Sequence, residues 1–135
     1  MSYLPLRLPP GVDLRQSLEA ALSADGETSA FVVSGVGGLS KAQLRFAGEV
    51  SETSLTGMFE ILCLSGTLTP DGAHLHMAIA DRHGRVVGGH VCRGNTVRTT
   101  AEVLLACPQE WMLTRELDAN TGFKELIVRS MGKDA

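Results

Sequence analysis

All four histidines of the chain, His74, His76, His83 and His90, fall in one short stretch. Imidazole is the common ligand for transition metals and the side chain that exchanges protons near neutral pH. His74 and His76 are two residues apart, which on a strand places both rings on one face. Asp81-Arg82-His83-Gly84 has the signature of a type I turn closed by a left-handed glycine, the common three-residue hairpin with a bulge. With Asp81 facing Arg85, His76 lies opposite His90 and His74 opposite Cys92. Directly opposed Cβ atoms are about 4.5–5.5 Å apart, so three imidazoles crowd one patch. Neutral imidazoles at that range hold Zn²⁺ at about 2.0–2.1 Å and leave a fourth position for water, substrate or another side chain. A lone His-x-His is more often a surface or core pair. The third histidine is what predicts a divalent-metal site, zinc first, on His74, His76 and His90. Cys92 shares that face and is a further candidate ligand as thiolate. Gly88-Gly89 beside His90 either admits another backbone closely or forms a bulge that would shift the register. His83, in the turn, is expected to be solvated.

Other chemistry is arranged around this expectation. Glu60 and Glu102 are the candidate catalytic carboxylates, as general base, should a bound metal activate water; together with Asp71 they are also candidate acceptors for the second ring nitrogens. Arg82, Arg85, Arg93 and Arg98 are close in sequence to the histidines and would draw a small anionic ligand. Gly35-Val36-Gly37-Gly38 follows a strand, as a phosphate loop would, but the next segment reads as another strand and offers no helix N-terminus. A tight turn is expected there. Ser34 and Ser65 lie near glycines, yet no Gly-x-Ser-x-Gly occurs.

These residues need elements to position them. After Pro9-Pro10-Gly11, Asp13 and Gln16 are spaced as a capping box, and Leu14, Leu18, Ala21 and Leu22 recur at helical period. The pattern predicts a helix over 14–24, stopped at Asp25-Gly26. From Ala30 the signal is that of strands: Phe31–Val33, Ala42–Phe46, Phe59–Leu68, His74–Asp81, Arg85–Cys92, Thr96–Ala106, Trp111–Leu117, and a last one over Glu125–Val128. Thr100–Ala106 is also compatible with helix by period. Tyr3–Leu8 alternates and reads as an edge strand or an intersubunit contact. Short hairpin connections make the expected class α+β, an antiparallel β-sheet core with one or two flanking helices.

Composition sets the outer bounds. The chain has 135 residues, 44% of them hydrophobic and 20% charged, which fits one domain over 1–135 with its own core and excludes general disorder. Its net charge of −3 is not that of a strongly basic nucleic-acid binder. No stretch is long and apolar enough for a membrane span. Three widely spaced cysteines, Cys63, Cys92 and Cys107, and the lack of a secretory leader pattern make the cytoplasm the expected location.

Several motifs, in order, resemble those of the plant-and-prokaryote-conserved (PPC) domain, best known from plant AT-hook nuclear-localised proteins. They are Ser34-Gly35-Val36-Gly37, Gly57-Met58-Phe59-Glu60-Ile61-Leu62, Ser65-Gly66-Thr67, His74-Leu75-His76, Asp81 to Gly84, and Val87-Gly88-Gly89-His90. The resemblance implies a compact α+β domain assembling as a homotrimer, and His74, His76 and His90 match the stand-alone prokaryotic, metal-containing type. Plant members commonly end the last motif in Gly. The AT-hook sequence Arg-Gly-Arg-Pro does not occur, its nearest counterpart being Arg93-Gly94-Asn95, and Met58 replaces the Arg of the plant partner-binding hexapeptide. Three functional readings follow: a metal-binding domain that takes a small anion or a partner, a metal-assisted enzyme acting on a small anionic substrate, and a DNA-binding protein as the family's naming would have it.

Overall fold

The computed structural model describes residues 1–132. Among the described residues, one helix and eight strands follow in the order β1 Ser2–Leu8, α1 Leu14–Ala24, β2 Ala30–Arg45, β3 Thr53–Thr69, β4 Gly72–Ala80, β5 Val86–Val91, β6 Thr96–Cys107, β7 Trp111–Leu117 and β8 Lys124–Ser130. The helix has the expected limits because its ends are fixed by local chemistry. The Asp13 carboxylate accepts from the Gln16 N–H at 2.9 Å, and Gly26 takes φ +76° beyond the last turn. Its Leu14, Leu18 and Leu22 are buried, and they join Leu44, Leu75, Ile79, Val91, Val97 and Leu105 in the core.

Six strands form one antiparallel sheet in the order β1-β6-β2-β3-β4-β5. At its C-terminal end β2 also pairs with β5, through Leu44 with Val91 and Arg45 with His90. The ladder from β2 to β5 therefore closes on itself at this end, which covers the edge of β5 at His90 and Val91. The architecture is the expected α+β class with one helix. Tyr3–Leu8 is an edge strand, paired with β6, and Thr100–Ala106 is strand.

Two details differ from the sequence reading, and the alternative left open at Gly88-Gly89 is decided. Gly35 to Gly38 make no turn; they lie inside a continuous 16-residue strand, β2. A Cβ on Gly37 would meet the Thr100 carbonyl oxygen at 2.6 Å, and one on Gly35 would meet Leu64 Cβ at 2.9 Å. These glycines let β6 and β3 approach β2. Gly88 and Gly89 act alike, since a Cβ on Gly89 would lie 2.8 Å from the Arg45 carbonyl oxygen, and the register between β4 and β5 runs unbroken from Ala80–Val86 to His76–His90. It stops before the expected His74–Cys92 pair, because the chain leaves β4 there to join β2, the Cys92 N–H donating to the Gln43 carbonyl at 3.1 Å.

A separate hairpin, β7–β8, is tied back to the main sheet. The Arg115 N–H donates to an Asp71 carboxylate oxygen at 2.9 Å, and Arg115 Nη2 donates to Thr67 Oγ1 at 2.6 Å.

Candidate metal centre

β4 alternates strictly. Ala73, Leu75, Met77 and Ile79 point into the core, which turns His74 and His76 outward. The β4–β5 turn has the predicted form: the Asp81 N–H donates to the Arg85 carbonyl at 2.9 Å, the Gly84 N–H to the Asp81 carbonyl at 2.9 Å, and Gly84 has φ +76°. His76 is thereby set opposite His90, and all three rings meet. Ring centroids are 4.9 Å apart for His74–His76, 5.4 Å for His74–His90 and 5.9 Å for His76–His90. One nitrogen from each ring lies within 4.8 Å of the other two. Three imidazole nitrogens gathered so closely could hold one ion, each at about the 2.0–2.1 Å usual for zinc, so the residues present fit a metal. Among the described residues no other group of His, Cys, Asp and Glu gathers in this way.

The electrostatics favour neutral rings, the form that ligates. Burial, then the charge of Arg45, pushes the His90 imidazole down to about 4. Burial, then the Arg115 guanidinium, holds His74 below its ordinary value. Cys92 is outside the cluster. Burial and the neighbouring Glu52 carboxylate push its thiol up to about 11, and its Sγ contacts the His90 carbonyl oxygen at 3.7 Å. His83 is exposed in the turn, as expected.

Of the carboxylates anticipated near the histidines, Asp71 accepts from the Arg115 N–H, whereas Glu60 and Glu102 stand elsewhere. Glu60 pairs with Ala80 on β4 and Gly38 on β2, and Glu102 pairs with Arg7 and Val36. With Arg98, Thr99 and Thr100 they line a depression of about 470 Å³ that contains no histidine. Arg82 is exposed in the hairpin turn beside Gly84, and Arg93 approaches Glu19 at 3.6 Å. The charged residues that do surround the centre are others. A depression of about 290 Å³ is lined by His74, His76, Thr67, Arg115 and Glu125, and one of about 750 Å³ by His74, His90, Arg45, Glu49, Arg115 and Lys124, among others. Thr67 was legible, since the two-residue turn at Pro70-Asp71 sets it opposite His74. Arg115 carries no local signal, because it reaches the site only through the docking of the β7–β8 hairpin.

Comparison with known proteins adds to this geometry. The family model of the Plants and Prokaryotes Conserved (PCC) domain matches residues 1–107. The Bifunctional protein GlmU of Synechococcus sp. (strain JA-3-3Ab) is 45% identical over 129 residues, 96% of this chain and 21% of that protein. The chain thus spans about a fifth of the length of the curated relatives it matches. Among solved structures, a hypothetical protein from Salmonella enterica is 37% identical with TM-score 0.93, over 96% of this chain and 94% of that one. The Metal-containing Protein AF0104 from Archaeoglobus fulgidus is 25% identical with TM-score 0.82, over 94% of each chain. A proposed DNA-binding protein from Bacteroides thetaiotaomicron is 17% identical with TM-score 0.82, over 93% of this chain and 91% of that one, and so shares the fold alone.

Proposed function

The chain belongs to the Plants and Prokaryotes Conserved (PCC) domain family, and from that premise we propose that it is a metal-binding member, holding a divalent ion, zinc by preference, on His74, His76 and His90. The observation that carries this reading is the convergence of three imidazole nitrogens within 4.8 Å from two adjacent strands. Nitrogen donors of this kind suit zinc, copper, iron or nickel better than magnesium or calcium, and zinc needs no redox partner. A bound ion would supply Lewis acidity at its remaining position. The likeness to the archaeal metal-containing protein supports the same reading.

The functional unit in this proposal is a homotrimer in the cytoplasm. Phe31, Val33, Val36 and Leu62 stand exposed on β2 and β3 of the uncovered sheet, the kind of apolar surface that self-association removes from water; the number three comes from the family resemblance. Three cysteines free of disulfides suit a reducing compartment. A catalytic role for Glu60 or Glu102 is not favoured by their place in a depression apart from the histidines. A DNA-binding role has weaker support: the net charge of these residues is −3, and the acids Glu60 and Glu102 stand on the open sheet face.

The test is metal content per chain by plasma mass spectrometry on untagged protein, with light scattering on the eluting species. Near-stoichiometric zinc in the wild type and background levels in His76→Ala and His90→Ala support the proposal. A wild type without metal after zinc is added back sinks it. Duplex DNA retained at physiological salt would favour the DNA reading instead.

A further inference from the structure

The geometry points to a small oxyanion, a carboxylate or phosphate group, as the ligand of the histidine centre, with the Arg115 guanidinium as its second anchor. This inference rests on the metal reading above and adds the chemical class of the ligand. Arg115 stands on β7, beyond the residues that the family model matches.

Arg115 is held where it could serve. Its Nη2 donates to Thr67 Oγ1 at 2.6 Å, and Thr67 is the direct register partner of His74. Opposed side chains on adjacent strands start about 4.5–5.5 Å apart, so the guanidinium is anchored on the neighbour of a ligand ring. The Asp71 carboxylate fixes the Arg115 backbone from the other side at 2.9 Å. Arg115 and His74 line both depressions that border the centre.

What Arg115 lacks among the described residues is an ion-pair partner. Among the described residues its Nε–H is buried and has no acceptor, and none of the ion pairs there involves it. An unsatisfied buried donor is costly, the more so when it is charged. A water molecule could accept from Nε without neutralising the charge. A carboxylate or phosphate does both, because two of its oxygens match the guanidinium fork. Thr67 adds to this, since its hydroxyl oxygen accepts from Arg115 and its own proton stays free to be donated.

Charge and size narrow the ligand. Arg45 and Lys124 join Arg115 along the larger depression, against Glu49 and Glu125, so a divalent ion at the histidines leaves the surroundings clearly positive. The two acids oppose a polyanion, and depressions of about 290 and 750 Å³ suit a small molecule. A monovalent carboxylate or one phosphate group, placed between the open position of the centre and Arg115, satisfies the orphan donor and the site's charge together.

The test loads the protein with Co²⁺ and titrates inorganic phosphate and acetate separately, following the visible band of the ion and the heat of binding. In the wild type at least one anion is expected to shift the band, and the tighter one identifies phosphate or carboxylate as the group recognised. Arg115→Gln should keep its cobalt and its starting spectrum but lose anion affinity about tenfold or more. Arg115→Lys, which keeps the charge without the fork, should fall between them and serves should the Gln variant not fold. Equal anion affinity in wild type and variants overturns the anion site, as does a wild type that responds to neither anion. A wild type that takes up no cobalt overturns the metal reading and this inference with it, and cobalt content tells the two failures apart.

Discussion

On the outer side of the β3–β4 ladder, His74 and His76 face Thr67 and Ser65 beneath the β7–β8 hairpin, while further along the same strand Ala80 faces Glu60, where the surface opens toward Arg98 and Glu102. The two places share a strand face and differ in what the third dimension adds. At the histidines, closure of β5 onto β2 brings His90 and Arg45 in from one side, and a docked hairpin brings Arg115 from the other. At Glu60 no other described element covers the sheet, and the acids stand beside an arginine and exposed Val36 and Leu62. Convergence of side chains from separate elements with partial burial is what makes a candidate site, whereas an uncovered sheet carrying apolar chains has the character of an association surface.

The sharpest way to break this contrast is to compare substitutions at its two ends. His76→Ala and His90→Ala should each weaken zinc binding by more than the roughly 10–100-fold typical of losing a supporting residue around a metal. Glu60→Ala and Glu102→Ala should leave it unchanged, as read by competition with a chromophoric chelator. Zinc loss from the glutamate variants would mean that the two depressions act as one site.

A second comparison reverses the roles. Val36→Asp combined with Leu62→Asp puts charge on the apolar surface, where each buried aliphatic side chain contributes about 1.5–3 kcal/mol. Light scattering should show the assembly shifting to monomer, with zinc stoichiometry kept. An assembly that persists would place the subunit contact elsewhere on the chain.

Third, Gly37→Ala tests the strand that joins the two regions. Its new Cβ meets a Thr100 backbone oxygen at 2.6 Å, and overpacking of this kind costs about 1–3 kcal/mol. Thermal unfolding should show the loss, while the folded protein should still bind zinc, because the register of β4 with β5 does not pass through Gly37.

The legible and the illegible parts of the fold divide along the same physical line. Helix α1 could be read because Asp13, Gln16 and Gly26 act within a turn of where they stand. The His76–His90 pairing could be read because Asp81 to Gly84 dictates a two-strand register by itself. Gly35 to Gly38 misled because close approach by another strand and a tight turn both call for glycine, and only the neighbours Ala101 and Leu64 distinguish them. The His74–Cys92 pair fails for a related reason: the hairpin turn specifies two strands, and the fold supplies a third, β2, to which the Cys92 N–H turns. Arg115 and Arg45 were out of reach because their place at the histidines depends on how a hairpin and a closed ladder dock, which no local pattern encodes.

The smallest expected effect concerns Cys92, which shares a sheet with the histidines without joining them. A thiol must lose its proton to ligate zinc, and burial together with Glu52 pushes this one up to about 11. Metal binding can overcome such a barrier when the sulfur faces the ion, but Cys92 lies past the end of β5, its backbone turned to Gln43. Cys92→Ala should therefore leave zinc affinity within about threefold of the wild type, where loss of a true ligand would cost far more than the 10–100-fold of a supporting residue. Its stability should fall by no more than about 1 kcal/mol, the scale of removing one small buried group. A large loss of zinc would make the centre three histidines and a thiolate, closed to exogenous ligands, and would remove the open position on which an Arg115-anchored anion depends. An unchanged affinity leaves that position free, and the centre then differs from the glutamate depression in being a place where a ligand can be held by two independent elements at once.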